Sequence, residues 1–280
     1  MAAAAADRYA VFRALHESGC FVIPNPWDVG TARYLQGLGF KALATTSAGF
    51  AFSQGLADGA VPRDPMLKHI REIVAATDLP VNADFEGGYA DEPAGVAESV
   101  RLCIETGVAG LSIEDSTGDD ASPLYDFDLA LARVRAARAA IDQAGGKVLF
   151  TARSEGFIRG RPDFAETIRR LKAFAQAGAD CLYAPGIKTR DEITAVVKAV
   201  APKPVNLLMS TASFTVKDIA AMGVRRISVG GTLARVAWGA FIRSAREIAE
   251  QGKFDSFKGV MGNPELNDFF REGRARWKTP

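Results

Sequence analysis

The feature that most constrains this chain is a rhythm: eight short apolar runs, each leading into a longer amphipathic stretch, repeated from end to end. The runs are CFVIP (20–24), KALATTS (41–47), LPVNADF (79–85), GLSIED (110–115), KVLFTAR (147–153), CLYAP (181–185), PVNLLM (204–209) and RRISVGG (225–231). Helical periodicity fills most of the intervals, over Asp64–Thr77, Ala94–Thr106, Asp128–Ala144, Asp163–Ala177, Asp191–Val200, Thr215–Met222 and Thr232–Gln251. Short apolar runs alternating with helical patterns indicate βα units around a parallel sheet. About eight such units in 280 residues predict an α/β chain folded as a (β/α)8 barrel of the TIM type. A doubly wound open sheet is the structural alternative. ETGVAG, QAGAD and AMGVRR each place a glycine between a helix and the next strand, where it supplies the left-handed residue that ends the helix. No linker, low-complexity segment or charge block divides the chain. The expected organisation is one barrel over residues 1–253 and an additional C-terminal helical segment over 254–280. The aromatic residues Phe269, Phe270 and Trp277 suit that tail either to cap the barrel or to pack on a neighbouring subunit.

Composition removes several classes of function. With 34 Lys and Arg against 33 Asp and Glu, the formal charge is +1, so no global field favours nucleic acid or an anionic membrane. No apolar stretch approaches the ~20 residues that cross a bilayer. The N-terminal alanine run lacks the basic segment and long apolar core of a secretory signal, and a cytoplasmic location is expected. Cys20, Cys103 and Cys181 are far apart in apolar runs and read as reduced core thiols rather than metal ligands. The two histidines, His16 and His69, lie in helical segments away from strand ends, which argues against a histidine-bound zinc site. Lys41, Lys147 and Lys203 sit at strand starts, the wrong end of a barrel for Schiff-base chemistry.

Barrels place their sites at the C-terminal ends of their strands. Those ends carry Asn25, Thr45-Thr46-Ser47, Asn82 to Glu86, Glu114-Asp115, Arg153-Ser154-Glu155, Tyr183, Asn206 and Gly230-Gly231-Thr232. A single acid there reads first as a helix cap or a solvated loop residue. Asp84, Glu86 and Glu114, however, come from adjacent strands, and acids gathered in one mouth repel unless they are protonated or bridged by a cation. Mg²⁺, with Mn²⁺ as its substitute, is the expected neutraliser, held by one or two carboxylates and water. Arg153 leaves an apolar strand. It reads as a clamp for a substrate carboxylate or phosphonate, or as an ion-pair partner of Glu114 or Glu155. The glycines at 230–231 suit either an anion or close strand–helix packing.

The ordered motifs NPWDVGTARYLQGLGFKALATTSAGFAFSQGLADG, VNADFEGGY, GLSIEDS, FTARSEGF, GADCLYAPG and PVNLLM resemble the isocitrate lyase/phosphoenolpyruvate mutase superfamily over nearly the whole chain. The resemblance implies a Mg²⁺-binding barrel that breaks or forms C–C or P–C bonds through an enolpyruvate-like intermediate. It also implies a homo-oligomer, a dimer or a tetramer, with exchanged C-terminal helices. Carried over by motif, Thr45, Thr46 and Ser47 hold a 2-oxo acid carboxylate, and Asp58 lies near the metal. Asp84 ligates the metal, with Asn82 where relatives carry a further acid and Glu86 as a compensating ligand. Glu114 is an outer ligand, Arg153 binds substrate, and Asn206 binds its distal group. The catalytic residues expected are then Arg153, Asp58 and Glu114.

In relatives that cleave isocitrate or methylisocitrate, the fourth strand is followed by KKCGH or KRCGH. Here residues 115–128 read DSTGDDASPLYDFD, with no cysteine, lysine or histidine, which argues against those two activities. The segment reads as a mobile lid or as an exposed connector, and the proton donors open to the site are Tyr183, Tyr125 or metal-bound water. The leading expectation is a Mg²⁺-dependent lyase or hydrolase that cleaves a C–C bond of a small 2-oxo or 2-hydroxy carboxylate, such as an oxaloacetate- or malate-like compound, through an enolate. The alternatives are P–C chemistry on phosphonopyruvate or phosphoenolpyruvate, and an oxo-acid-binding protein without catalysis.

Overall fold

The computed structural model describes residues 7–276; side chains are described to Gly273, and Trp277 lies outside the described residues. Eight parallel strands form one sheet: β1 (Phe21–Ile23), β2 (Leu43–Ala44), β3 (Val81–Asp84), β4 (Gly110–Glu114), β5 (Leu149–Arg153), β6 (Cys181–Tyr183), β7 (Val205–Leu208) and β8 (Arg226–Ser228). Their order is β1-β8-β7-β6-β5-β4-β3-β2. The first strand pairs with the last, Val22 opposite Ile227, and the sheet curls into a nearly closed barrel rather than lying open. The seam between β1 and β2 is bridged by the Ala44 N–H donating to the Pro24 carbonyl at 3.1 Å.

The helices are α1 (Arg8–Glu17), α2 (Val29–Gly37), α3 (Ser47–Ser53), α4 (Arg63–Ala76), α5 (Pro93–Ile104), α6 (Phe127–Gln143), α7 (Phe164–Gln176), α8 (Arg190–Val200), α9 (Val216–Ala221), α10 (Thr232–Gln251) and α11 (Asn263–Arg276). The amphipathic stretches at α4 to α10 therefore form where their periodicity places them. Side-chain alternation along each strand divides the molecule. Outward residues such as Ala83, Leu111, Ile113, Phe150 and Leu207 join the apolar layer under the helices. The inward residues Asn82, Ser112, Asn206, Arg226 and Ser228 are polar and line a cavity. Beneath them, α1 plugs the N-terminal end, and Phe12 packs with Ile23, Leu149 and Cys181. Gly110 makes room for the plug, since a Cβ there would stand 2.6 Å from the Phe12 ring.

Both histidines are buried packing residues. His69 stacks on Phe50 with ring centroids 3.8 Å apart, and His16 lies edge-on to Phe12 and Phe21. After α10, a short 3-10 turn (Asp255–Phe257) leads to α11. There Phe269 contacts Tyr34 of α2 at 4.6 Å between ring centroids. The tail thus touches its own barrel. The outer face of α10 leaves Val236 64% and Phe241 62% exposed, with Trp238 and Ile242 beside them.

Candidate active site

A cavity of about 330 Å³ opens at the C-terminal ends of the strands, with Asp58 and Arg159 among its lining residues and Asn82 and Arg226 on its inner wall. It gathers every site residue expected from the sequence: Thr45, Thr46, Ser47, Asp58, Asn82, Asp84, Glu86, Glu114, Arg153 and Asn206.

Asp84 is held from three sides. Its Oδ1 accepts from Arg153 Nη1 at 2.8 Å, and its Oδ2 accepts from the Ser47 backbone N–H at 3.1 Å and the Ser47 hydroxyl at 3.2 Å. The Asp84 N–H donates to Thr45 Oγ1 at 2.9 Å. Ser47 Oγ also lies 3.3 Å from Asp58 Oδ1, so its single proton is shared between two acids. Thr46 acts on the helix instead, where its hydroxyl accepts from the Gly49 N–H at 3.2 Å and caps α3. The motif's three adjacent hydroxyls therefore separate into a strand anchor, a helix cap and a carboxylate ligand.

Arg153 lies at the centre. Nη1 is also 3.0 Å from Glu114, while Nε and Nη2 grip Glu155 at 2.7 and 3.2 Å. The guanidinium stands 4.8 Å from the centre of the Tyr183 ring. Arg159 adds a second cation 3.5 Å from Glu114. Arg153 is thus the ion-pair partner of Glu114 and Glu155 and also lines the cavity.

Glu86 sits where the chain leaves β3, in the left-handed region at φ 50°, which costs a non-glycine residue about 1–3 kcal/mol and is retained mostly at functional sites. Burial pushes its carboxyl up to about 9, with further upward pressure from Glu114, Asp84 and Asp58. Burial also raises Asp58, reinforced by Asp84, and raises Glu114 against the opposing pull of Arg153. Asp58, Asp84, Glu86 and Glu114 offer only hard oxygen donors, and the upward shifts of Asp58, Glu86 and Glu114 mark a mutual repulsion that a cation would relieve, so the donor set fits Mg²⁺ or Mn²⁺. Such an ion takes one or two carboxylates and keeps several waters. No preformed cluster of three or more acid, histidine or cysteine ligands is gathered among the described residues. Asn82 sits a layer lower: its Nδ2 donates to the Ala83 carbonyl at 3.1 Å and its Oδ1 is 3.5 Å from Arg226 Nη1.

The glycine-rich turn after β8 serves packing. The Val229 and Gly230 N–H groups both donate to Asn25 Oδ1 at 2.9 Å, and Asn25 Nδ2 donates to the Thr45 carbonyl at 2.8 Å. One buried amide thus ties β1, β2 and β8 together at the rim. The segment 115–128 folds back on itself through a bridge between Ser116 and Leu124 and borders a second cavity of about 530 Å³ that shares Asp58, Glu86, Glu114 and Arg159 with the first. Tyr125 lines this second space, with its hydroxyl donating to Asp91 at 2.5 Å. Glu155, Arg159 and Arg226 carry more of the site than the sequence indicated. Position at a strand end was the available signal for Glu155, and inward alternation along β8 for Arg226.

Comparison with known proteins matches the chain to one family and to several solved structures. The family model described as phosphoenolpyruvate phosphomutase matches residues 12–249. The chain is 33% identical over 241 residues to the uncharacterized protein Rv1998c of Mycobacterium tuberculosis, covering 85% of this chain and 89% of that one. A Burkholderia cenocepacia structure, itself assigned only provisionally as a lyase/mutase, superposes with a TM-score of 0.90 at 48% identity, covering 94% and 95% of the two chains. Oxaloacetate acetylhydrolase in complex with its product oxalate gives 0.83 at 27% identity, covering 96% and 95%. Phosphonopyruvate hydrolase in complex with oxalate and Mg²⁺ gives 0.81 at 25%, covering 96% and 99%.

Proposed function

Since the chain belongs to the phosphoenolpyruvate phosphomutase family, we propose that it is a Mg²⁺-dependent lyase or hydrolase that breaks a C–C bond of a small 2-oxo or 2-hydroxy carboxylate through an enolate. The observation that carries this reading is Arg153 standing in a cavity among Asp84, Glu114 and Glu155, with Glu86 held nearly neutral beside them. A bound Mg²⁺ would supply Lewis-acid stabilisation of the oxygen that becomes negative as the bond breaks. Asp84, Glu86 and Glu114 are the residues to hold it, with Asp58 alongside; Asn82 would have to turn from Arg226 to join them.

The protein's own groups supply the rest. Glu155 fixes Nε and Nη2 of Arg153 and so aims the guanidinium, while Nη1 meets Asp84 and Glu114, one of which an incoming carboxylate would displace. Ser47 holds the other oxygen of Asp84 through its backbone N–H and its hydroxyl. Tyr183, 7% exposed, is kept protonated because burial pushes its hydroxyl up to about 12. It lies against Arg153 and is our candidate among Tyr183, Tyr125 and metal-bound water to return a proton to the cleaved fragment, since the Tyr125 hydroxyl donates to Asp91. The apolar face of α10 suits a second copy of the chain, a dimer or tetramer that light scattering would reveal. No helix among the described residues is long and apolar enough to cross a membrane.

The test is a product-resolved screen of oxaloacetate, substituted malates and phosphonopyruvate with Mg²⁺ present. Cleavage of a dicarboxylate at a C–C bond supports the proposal. Turnover of phosphonopyruvate alone would replace it with P–C chemistry, and cation-dependent binding without any product would leave a binding protein.

A further inference from the structure

The inner wall of the cavity holds a charge that this chemistry does not use. Arg226 projects inward from β8, is 3% exposed and lines the same cavity as Arg153. The two arginines differ in company: Arg153 is surrounded by three carboxylates, whereas Arg226 meets uncharged groups. Its Nε donates to Asn206 Oδ1 at 2.8 Å and Nη2 to Thr151 Oγ1 at 3.0 Å. Nη1 makes only long contacts, 3.4 Å to His16 Nε2 and 3.5 Å to Asn82 Oδ1. Burial and the facing Arg226 keep His16 a neutral imidazole; Nδ1, 2.8 Å from the Phe12 carbonyl, carries its proton, which leaves Nε2 to accept. An aspartate at position 82 would pair with this guanidinium; Asn82 leaves its charge uncompensated.

A buried cation without a counter-ion is costly unless a ligand supplies one. A guanidinium has five N–H donors, and here two of its four contacts are long. Arg226 also sets its neighbour. Because it only donates, it fixes Oδ1 of Asn206 toward itself and turns Nδ2 the other way, where one N–H reaches Ser228 Oγ at 2.9 Å. Asn206 lines the cavity, so this wall presents positive charge and amide hydrogens together, the chemistry that binds a carboxylate.

We infer that Arg226 supplies the charge of an anion subsite at the barrel floor, beside the Asn206 already expected to meet a distal group, so that the site selects a 2-oxo or 2-hydroxy acid with a second carboxylate over a monocarboxylate. The inference rests on the functional reading above, and the experiment separates the two. Malate and lactate share a 2-hydroxy acid head and differ by the distal carboxylate; both enantiomers of each are titrated calorimetrically into the full-length protein with Mg²⁺. Malate is expected to bind at least tenfold more tightly than lactate. Arg226→Gln is expected to bring that ratio within about twofold while lactate affinity is unchanged. Arg226→Lys, which keeps the charge and serves if the glutamine variant does not fold, is expected to retain at least a threefold preference.

Equal binding of malate and lactate to the wild type would overturn the subsite and leave the functional reading standing, whereas binding of neither would overturn both. Equal weakening of the two ligands by Arg226→Gln, or a ratio near one in folded Arg226→Lys, would make Arg226 a structural residue and overturn the inference.

Discussion

His69 offers a way to test the buried architecture quantitatively. It is 3% exposed, stacks flat on Phe50, and its Nε2 finds no hydrogen-bond partner among the described residues. Burial lowers its pKa from 6.5 to about 4, opposed only in part by the charge of Asp28. The folded pKa lies below the unfolded one, so the unfolded chain binds more protons and stability rises with pH. The contribution is complete above 6.5 and is lost progressively as pH falls from there toward 4. At 1.36 kcal/mol per pKa unit, going from pH 8 to pH 5 removes roughly 2 kcal/mol through this group.

The raw wild-type curve will not show that cleanly, because Asp58, Glu86 and Asp115 have raised pKa values and favour the folded state as pH falls. The difference between wild type and His69→Leu cancels them. Urea unfolding of both proteins at pH 8, 6.5 and 5 should show the variant gaining about 2 kcal/mol relative to wild type between the extremes. A difference that stays constant to within about 0.5 kcal/mol over that range would refute a neutral, desolvated His69.

Three further outcomes follow from the site. Glu86→Gln in chelator at pH 7.5 should unfold at higher urea than wild type, because a carboxyl with a raised folded pKa costs stability as pH rises, and it should be stabilised less by added Mg²⁺; lower stability than wild type would contradict a crowded acid cluster. Arg153→Lys should lower kcat/KM by roughly 100-fold, about 2.7 kcal/mol, since an ammonium cannot hold Glu155 and a carboxylate in one plane; steady-state kinetics on whichever substrate the screen identifies would check it. Asn25→Ala leaves two N–H groups and a carbonyl without their amide partner, so the urea midpoint should fall by the equivalent of about 3 kcal/mol.

Periodicity made the barrel legible because an inward and an outward face, repeated eight times with helices between, admit few arrangements. The acids of β3 and β4 and the arginine of β5 were legible for the same reason, as strand-end residues of matched register: Asn82 lies opposite Gly110, and Glu114 opposite Arg153. Lateral partners were not. Nothing in TTS separates Thr46, which caps a helix, from Ser47, which holds two acids, because that division depends on where a seven-residue helix begins. RRIS does not say which arginine turns inward; Arg225 donates to the Gly19 carbonyl outside while Arg226 enters the barrel. Asn25 reads as one more polar strand end until β1 and β8 stand side by side.

That pairing of first and last strands gives the molecule an order in time. β1 finds its sheet partner only in residues 226–228, some two hundred residues later in synthesis. At ribosomal speeds of roughly 5–20 residues per second, the interval is on the order of 10–40 s. Throughout it, the growing sheet β2 to β7 has two bare edges and β1 has none of its ladder bonds. The Asn25 amide lacks its Val229 and Gly230 donors for as long. An unclosed ring of this kind is a period of aggregation risk, and it ends when the eighth strand leaves the ribosome.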